Sequence, residues 1–227
     1  MIFISDYNYS EPIRSIMMTS QIITGIGLFA IALVAFIYWR TSYFDQKSSE
    51  FYIIGISIFF TLMGIYRFLF FYHDFFAPDE WGTLLWKIGN SILLIGLMGL
   101  NYILERFIYK KSKYIFTIIG IGFVMLYIII PEKNIARIIT QLGSVLLIIF
   151  PLIIHIIIAG RSSGWIRKKA IIISIGIMVL IFSTFGLFLF ETLGILATKI
   201  TLVIGHPLSL VGYMITGYGL LMQFLRK

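Results

Sequence analysis

The chain has no cysteine and few charged residues, and both shortages restrict what it can be. Among its 227 residues, Asp, Glu, Lys and Arg make up 12%, whereas hydrophobic residues make up 59%. A soluble domain carries about 25% charged residues, so this chain has too little polar surface to face water. Without cysteine, disulfides, thiolate metal sites and a cysteine nucleophile are excluded. The composition predicts an integral membrane protein.

Long apolar runs fill the chain, and crossing a hydrocarbon core of about 30 Å requires about 20 helical residues. Seven runs approach or exceed this length, at residues 16–39, 51–72, 82–108, 114–130, 138–159, 170–192 and 200–225. The fourth run is short and ends at Pro131, which cannot continue a helix. Because the loops are short, consecutive helices are expected to be antiparallel neighbours. The sequence therefore predicts an all-α membrane protein, a single seven-helix bundle covering residues 1–227.

The basic residues predict the orientation of this bundle. Lys and Arg collect on the cytoplasmic side of membrane proteins, and most loop cations of this chain fall on one side. Two groups stand out, Lys110, Lys111 and Lys113 in one loop and Arg167, Lys168 and Lys169 in another. We expect the N-terminus outside, the C-terminus in the cytoplasm, and a multi-pass protein of the cell membrane. Both groups suit anionic lipid headgroups, and the net charge of +8, spread over short loops, does not indicate nucleic acid.

Polar residues inside the predicted spans are candidates for a binding site, because charges are costly in lipid. Five are expected near the outer side and form the candidate ligand pocket: Arg67, Lys87, Asn90, Glu191 and His206. Five more are expected to form a polar interior stripe along spans three, five and seven: Asn101, Gln141, Ser209, Tyr213 and Thr216. His206 is the best single candidate, since its side chain is too short to reach water and Pro207 frees a carbonyl one turn upstream.

Each of these residues also has a structural explanation. Arg67 and Lys87 lie about 8 Å from the outer boundary by the helical rise, so both can snorkel or pair with Asp74 or Glu191. The short polar side chains can instead join helices by hydrogen bonds, which are worth about 0.6 kcal/mol on average in membranes. A core histidine explains His206 as well as a functional one does.

We expect no catalytic residue, metal or cofactor, and we favour a protein that is not an enzyme. An intramembrane metal hydrolase acting on lipid needs several ligands at one depth. The chain has three histidines, and His155 is expected at the opposite end from His73 and His206. A two-histidine site completed by Asp74 or Glu191 is what remains of this alternative, an intramembrane lipid-modifying metal hydrolase. A retinal protein needs a lysine midway along the last span, whereas Lys199 lies at its outer edge.

Seven spans with an outside N-terminus resemble the layout of G-protein-coupled receptors, and Glu105-Arg106 is similar to their acidic–Arg pair. The layout also resembles the seven-helix sensor regions of some microbial kinases. These resemblances imply ligand sensing, with output through a separate signalling partner at the cytoplasmic loops. Span seven departs from the receptor pattern, because it reads His-Pro-Leu-Ser-Leu at 206–210 instead of Asn-Pro-x-x-Tyr.

Two hypotheses of different class remain. We favour a receptor-like or sensor bundle whose outward-facing pocket binds a small or lipidic ligand. The alternative is a small solute or ion transporter or a channel-like protein, with a polar stripe running from His206 through Tyr213 to Gln223. An outer pocket that is closed beneath favours the sensor, whereas a path or broken helices near the membrane midplane favour the transporter.

Overall fold

The computed structural model describes residues 11–42, 47–77, 79–194 and 198–222, and within these ranges every regular element is helical and none is a strand. The prediction of an all-α chain is therefore confirmed. The α-helices are α1 (Glu11–Thr41), α2 (Lys47–Phe75), α3 (Asp79–Ile103), α4 (Ile115–Ile129), α5 (Lys133–Arg161), α6 (Gly164–Ile181), α7 (Leu187–Thr192) and α8 (Thr198–Leu221).

In the part of the chain that the structure describes, five stretches are long and apolar enough to cross a membrane: α1, most of α2, α3 with the turn after it, α5, and α6 with the turn after it. Helix α4 is a shorter apolar helix of 15 residues, about 22 Å long at the helical rise. Helix α8 is not among the five within the described residues. The chain thus carries several apolar helices that fit a membrane protein, whereas seven crossings and the orientation stay predictions.

Two π-helical turns modify the regular helices. Helix α3 continues into a π turn at Leu104–Ile108, where Tyr109 N–H donates to the Leu104 carbonyl at 2.8 Å. Helix α6 continues through a second π turn at Phe182–Gly186 into α7. Because α6, this turn and α7 are continuous, the described part of each apolar run falls on one continuous helical segment.

The two ends of the bundle differ in charge. The end at which α1, α3 and α5 finish carries Arg40, Arg106 and Arg161, and we call it the cation-rich end. The opposite end, where α1 begins and α2 finishes, is the cation-poor end. The sequence predicts that the cation-rich end is cytoplasmic.

Neighbouring helices pack into a ring of α1, α2, α3, α5, α6 and α8, which closes where α8 packs on α1. Phe60, Met63 and Leu147 fill its centre and are at most 1% exposed. Helix α4 lies outside the ring against α3 and α5, and its buried residues are Gly120 and Tyr127. The outward face of α4 is aliphatic, which is typical of a surface in contact with lipid.

Charged side chains from α3 and from the π turn after it contact the two ends of helix α4. Glu105, in the π turn, accepts hydrogen bonds from the N–H groups of Phe116 and Thr117, both at 2.9 Å. Lys87 Nζ donates to the carbonyl of Ile130, at the other end of α4, at 3.3 Å. A helix has partial positive charge at its N-terminus and partial negative charge at its C-terminus. Both side chains therefore match the dipole of α4.

Pro151 interrupts the hydrogen bonding of α5, and α3 compensates for the loss. Proline has no N–H, so the carbonyl of Leu147, four residues earlier, lacks its helical donor. Asn101 Nδ2 donates to that carbonyl at 3.0 Å, and Asn101 is fully buried. His155 Nδ1 lies 2.7 Å from the Pro151 carbonyl, one turn further on. Asn101, predicted as part of a polar stripe, thus joins α3 to the interrupted segment of α5.

Candidate functional site

Buried polar side chains join α1, α2 and α8 near the cation-poor end. We define the α1–α2–α8 polar cluster by six residues that share hydrogen bonds: Gln21, Arg67, His73, Asp74, His206 and Ser209. Their exposed fractions lie between 2% and 7%. The cluster therefore places two charged side chains and two histidines inside a bundle of apolar helices.

Gln21 connects the three helices of the cluster. Its Nε2 donates to Asp74 Oδ2 at 2.9 Å and lies 3.4 Å from His206 Nε2. Asp74 Oδ1 in turn lies 2.8 Å from His73 Nδ1, a contact that is an ion pair when the imidazole is protonated. One amide of α1 thus contacts both α2 and α8.

Arg67 lies between α2 and α8, and no carboxylate of the described residues forms a direct ion pair with it. Its Nη2 donates to Ser209 Oγ at 3.1 Å, and the guanidinium carbon lies 5.4 Å from the ring centres of both Tyr66 and Tyr213. Within the described residues, its buried Nε also has no hydrogen-bond partner. The side chain is 6% exposed, so it stays inside the bundle instead of snorkelling.

The structure brings together some of the predicted pocket residues and separates others. Arg67 and His206 both belong to the cluster. Lys87 contacts the end of α4, and Asn90 donates to the carbonyl of Trp86 in its own helix at 3.0 Å. In the described part of the chain, no hydrogen bond joins Lys87 or Asn90 to the cluster. The side chain of Glu191 lies outside the described residues.

The predicted polar stripe is divided in the same way. Ser209 and Tyr213 contact Arg67, whereas Thr216 donates to the carbonyl of Gly212 in its own helix at 2.8 Å. Gln141 is half-buried on α5, and Gln223 lies outside the described residues.

Below the cluster, the centre of the ring holds a cavity of about 30 Å³ with mostly apolar walls, beside Tyr213 and His155. One water molecule needs roughly 10–15 Å³ of such space. This cavity therefore has room for a few water molecules at most and is too small for a larger solute.

The sequence pattern missed Gln21 and underestimated His73 and Asp74. Gln21 lies in a mostly apolar span, where Ser20 and Thr24 are polar residues near it. The apolar run of span two stops at residue 72, but helix α2 continues to Phe75. This last turn carries His73 and Asp74 into the bundle. The available signal was the group Ser20, Gln21 and Thr24 on one face of α1, all buried.

The arrangement does not resemble a metal centre. In the ranges that the structure describes, no group of three or more His, Cys, Asp or Glu side chains is placed to hold a metal ion. His73 and His206 lie in the cluster, whereas His155 forms its hydrogen bond within α5.

Comparison with protein-family models, with curated proteins and with solved structures gives no match to this chain. The fold therefore places this chain among helical proteins with several apolar helices of membrane-spanning length.

Substitution of Gln21 by leucine is expected to destabilise the folded chain by about 2 kcal/mol, because a hydrogen bond to a carboxylate contributes about 1.5–3 kcal/mol. Gln141→Leu is the matched control, since among the described residues no hydrogen bond is made by the Gln141 side chain. Thermal unfolding in lipid nanodiscs measures both variants. Equal midpoints for the two would show that the Gln21 contacts add nothing to stability.

Proposed function

We propose that this chain is a receptor-like or sensor bundle that binds a small or lipidic ligand with a negatively charged group at the α1–α2–α8 polar cluster. The observation that supports this proposal is the state of Arg67. Its guanidinium is buried, has no ion pair within the described residues and leaves Nε unbonded. A carboxylate or phosphate fits a guanidinium through two parallel hydrogen bonds.

Energetics support a binding role for Arg67. A buried charge without a partner costs several kcal/mol, and an ionisable group inside a membrane helix is therefore a candidate for a functional site. Two tyrosine rings and one serine hydroxyl offset part of that cost. An anionic ligand that pairs with Arg67 removes the remaining cost of burying this charge. The free energy gained in this way contributes to the binding of the ligand.

The position of the cluster favours sensing. It links α1, α2 and α8, so a ligand that replaces the Arg67–Ser209 contact shifts these helices relative to one another. A shift of packed helices is a common form of signalling transition. The cavity below the cluster measures only about 30 Å³, which favours a site open to one side over a path through the bundle.

One observation favours the transporter alternative. The π turn of α6 faces the segment of α8 next to Pro207, where a Cβ on Gly205 would lie 3.3 Å from the carbonyl oxygen of Ser183. Transporter sites are often built from interrupted helices that face each other within the membrane. Because two irregular helical segments are in contact here, a small transporter or channel-like protein is the second candidate function.

The proposal is tested by thermal unfolding of the full chain in nanodiscs, with acetate, octanoate or inorganic phosphate added and chloride as the baseline. We expect at least one anion to raise the midpoint in a saturable manner, because a ligand at 100 times its Kd stabilises the folded state by about 2.7 kcal/mol. Arg67→Gln should abolish the rise. Arg40→Gln, at an exposed arginine of the cation-rich end, is the control and should retain it.

Two further measurements complete this test. Ser209→Ala removes the acceptor of Arg67 Nη2 and keeps the charge, so it should alter the affinity for the anion without abolishing the response. Uptake of the same anion into proteoliposomes separates the two candidates, since a sensor gives no flux. The proposal fails if none of the anions shifts the midpoint, or if Arg67→Gln responds as the unmodified chain does.

A further inference from the structure

A crevice lies between α2 and α3 in the half of the bundle towards the cation-rich end. Its volume is about 370 Å³, within the range of about 300–1,000 Å³ that is typical of ligand pockets. Two residues at its rim, Ile58 and Tyr102, are 55% and 37% exposed. The inner walls are hydrocarbon, formed by Ile54, Phe59, Leu62, Leu100 and Ile103. The crevice is therefore an apolar opening in the side of the bundle.

Glycines on both walls shape this crevice. A Cβ added at Gly99 would meet no atom within 4 Å, so a larger side chain at this position would enter the free space. On the opposite wall, a Cβ at Gly55 would collide with Ile103 Cδ1. The shape of the crevice thus depends on the absence of side chains at particular points of both helices.

Arg106 lies at the cation-rich end of the crevice. It donates to the Tyr102 hydroxyl, and its guanidinium carbon lies 5.7 Å from the Tyr102 ring centre and 5.6 Å from that of Phe107. The side chain is exposed, and no carboxylate among the described residues forms an ion pair with it. Lys110 and Lys111 follow in the next turn and are also exposed.

We propose that this crevice binds an acyl chain of an anionic phospholipid, with Arg106 bound to the lipid phosphate. The exposed rim lies on the outer surface of apolar helices, where lipid surrounds the bundle, so the occupant comes from the bilayer. Hydrocarbon walls match an acyl chain, and a guanidinium that has no ion pair among the described residues matches a phosphate. The π turn carries both Glu105 and Arg106, and it directs Glu105 to α4 while Arg106 lies at the crevice. This lipid site is independent of the polar cluster and of the function proposed for it.

Native mass spectrometry of the full chain in a mild detergent tests the site. Phosphatidylglycerol and phosphatidylcholine with identical acyl chains are added in equal amounts, and the bound lipid is counted. We expect one phosphatidylglycerol to bind with a preference of about fivefold, which corresponds to about 1 kcal/mol for one basic side chain near a membrane surface. Arg106→Gln should remove the preference and retain residual binding of both lipids.

The crevice itself is tested with a pair of glycine substitutions. Gly99→Phe should reduce binding of both lipids, because the ring fills the crevice. Gly122→Phe is the matched control, since a Cβ there also meets nothing within 4 Å and the residue is exposed on α4; it should bind lipid normally.

Three results would overturn the proposal. Equal binding of the two lipids by the unmodified chain would point to a purely apolar occupant. A preference that survives Arg106→Gln but is lost when Lys110, Lys111 and Lys113 become Gln would indicate diffuse attraction to headgroups. A dimer that Gly99→Phe dissociates would identify a second copy of the chain as the occupant.

Discussion

Replacement of Gly176 by leucine is expected to destabilise the folded chain by about 3 kcal/mol or more, at the upper end of the range for overpacked cores. A Cβ at Gly176 would lie 2.6 Å from the backbone N of Thr216 and 3.0 Å from the Gly212 carbonyl oxygen, and it would also collide with Thr216 Oγ1. Two of these atoms belong to the backbone of α8. Rotation of a side chain cannot relieve such contacts, so α6 and α8 must separate.

The loss of stability in Gly176→Leu extends beyond the substituted position, because α6 and α8 are close along their length. A Cβ at Gly212 would lie 3.0 Å from the backbone N of Leu180, and one at Gly219 would lie 3.1 Å from that of Ile173. Without a hydrophobic driving force between helices in lipid, close backbone approach at small residues supplies much of the association energy. Separation at one glycine therefore weakens the contacts of the other two.

Thermal unfolding in nanodiscs measures this effect, with Gly122→Leu as the control. Gly122 is exposed on α4, and a Cβ there meets nothing within 4 Å, so its substitution should change stability by less than about 0.5 kcal/mol. Gly176→Ala should fall between the two leucine variants, because even one methyl group reaches the backbone of α8. A midpoint for Gly176→Leu equal to that of the control would contradict the close approach of α6 and α8.

The positions of the helices could be predicted from the sequence, because the length of an apolar run directly reflects the thickness that a helix must cross. Pro131 correctly predicted the end of α4, since the helix stops at Ile129. It was harder to predict from the sequence which helices pack against each other. Gly212 and Gly219 of the last helix approach the backbone of α6 closely, but their counterpart Gly176 lies in an ordinary apolar run with nothing to distinguish it.

The candidate site was predicted in part, because depth in the membrane follows from the sequence but direction around the helix axis requires the packed structure. Arg67 and Lys87 have similar predicted depths, yet Arg67 faces α8 and Lys87 reaches the end of α4. The π turns add to this difficulty, since they alter the helical period locally. Asn101 could have been assigned from Pro151, because a proline in a helix always leaves a carbonyl that needs a donor.

Replacement of Glu105 by alanine is expected to destabilise the chain by about 3 kcal/mol and to loosen the start of α4, since each bond to a charged group contributes about 1.5–3 kcal/mol. Its carboxylate accepts from the N–H groups of Phe116 and Thr117 and from the Thr117 hydroxyl at 2.5 Å, while Glu105 is 1% exposed. Tyr114, the residue before α4, has φ 64° and makes no capping bond. Glu105 therefore replaces the usual helix cap from a neighbouring helix.

Two controls separate this capping role from a general effect of charge. Glu105→Gln keeps the shape and one acceptor oxygen, so the loss should be intermediate. Glu132→Ala removes an exposed carboxylate at the start of α5, which makes no side-chain capping bond, and should change stability by less than about 0.5 kcal/mol. Hydrogen exchange of residues 115–129, measured by mass spectrometry in nanodiscs, should accelerate in Glu105→Ala first at Phe116 and Thr117. Unchanged exchange in this segment would contradict the cap, because its two N–H donors would then be protected by something other than the Glu105 carboxylate.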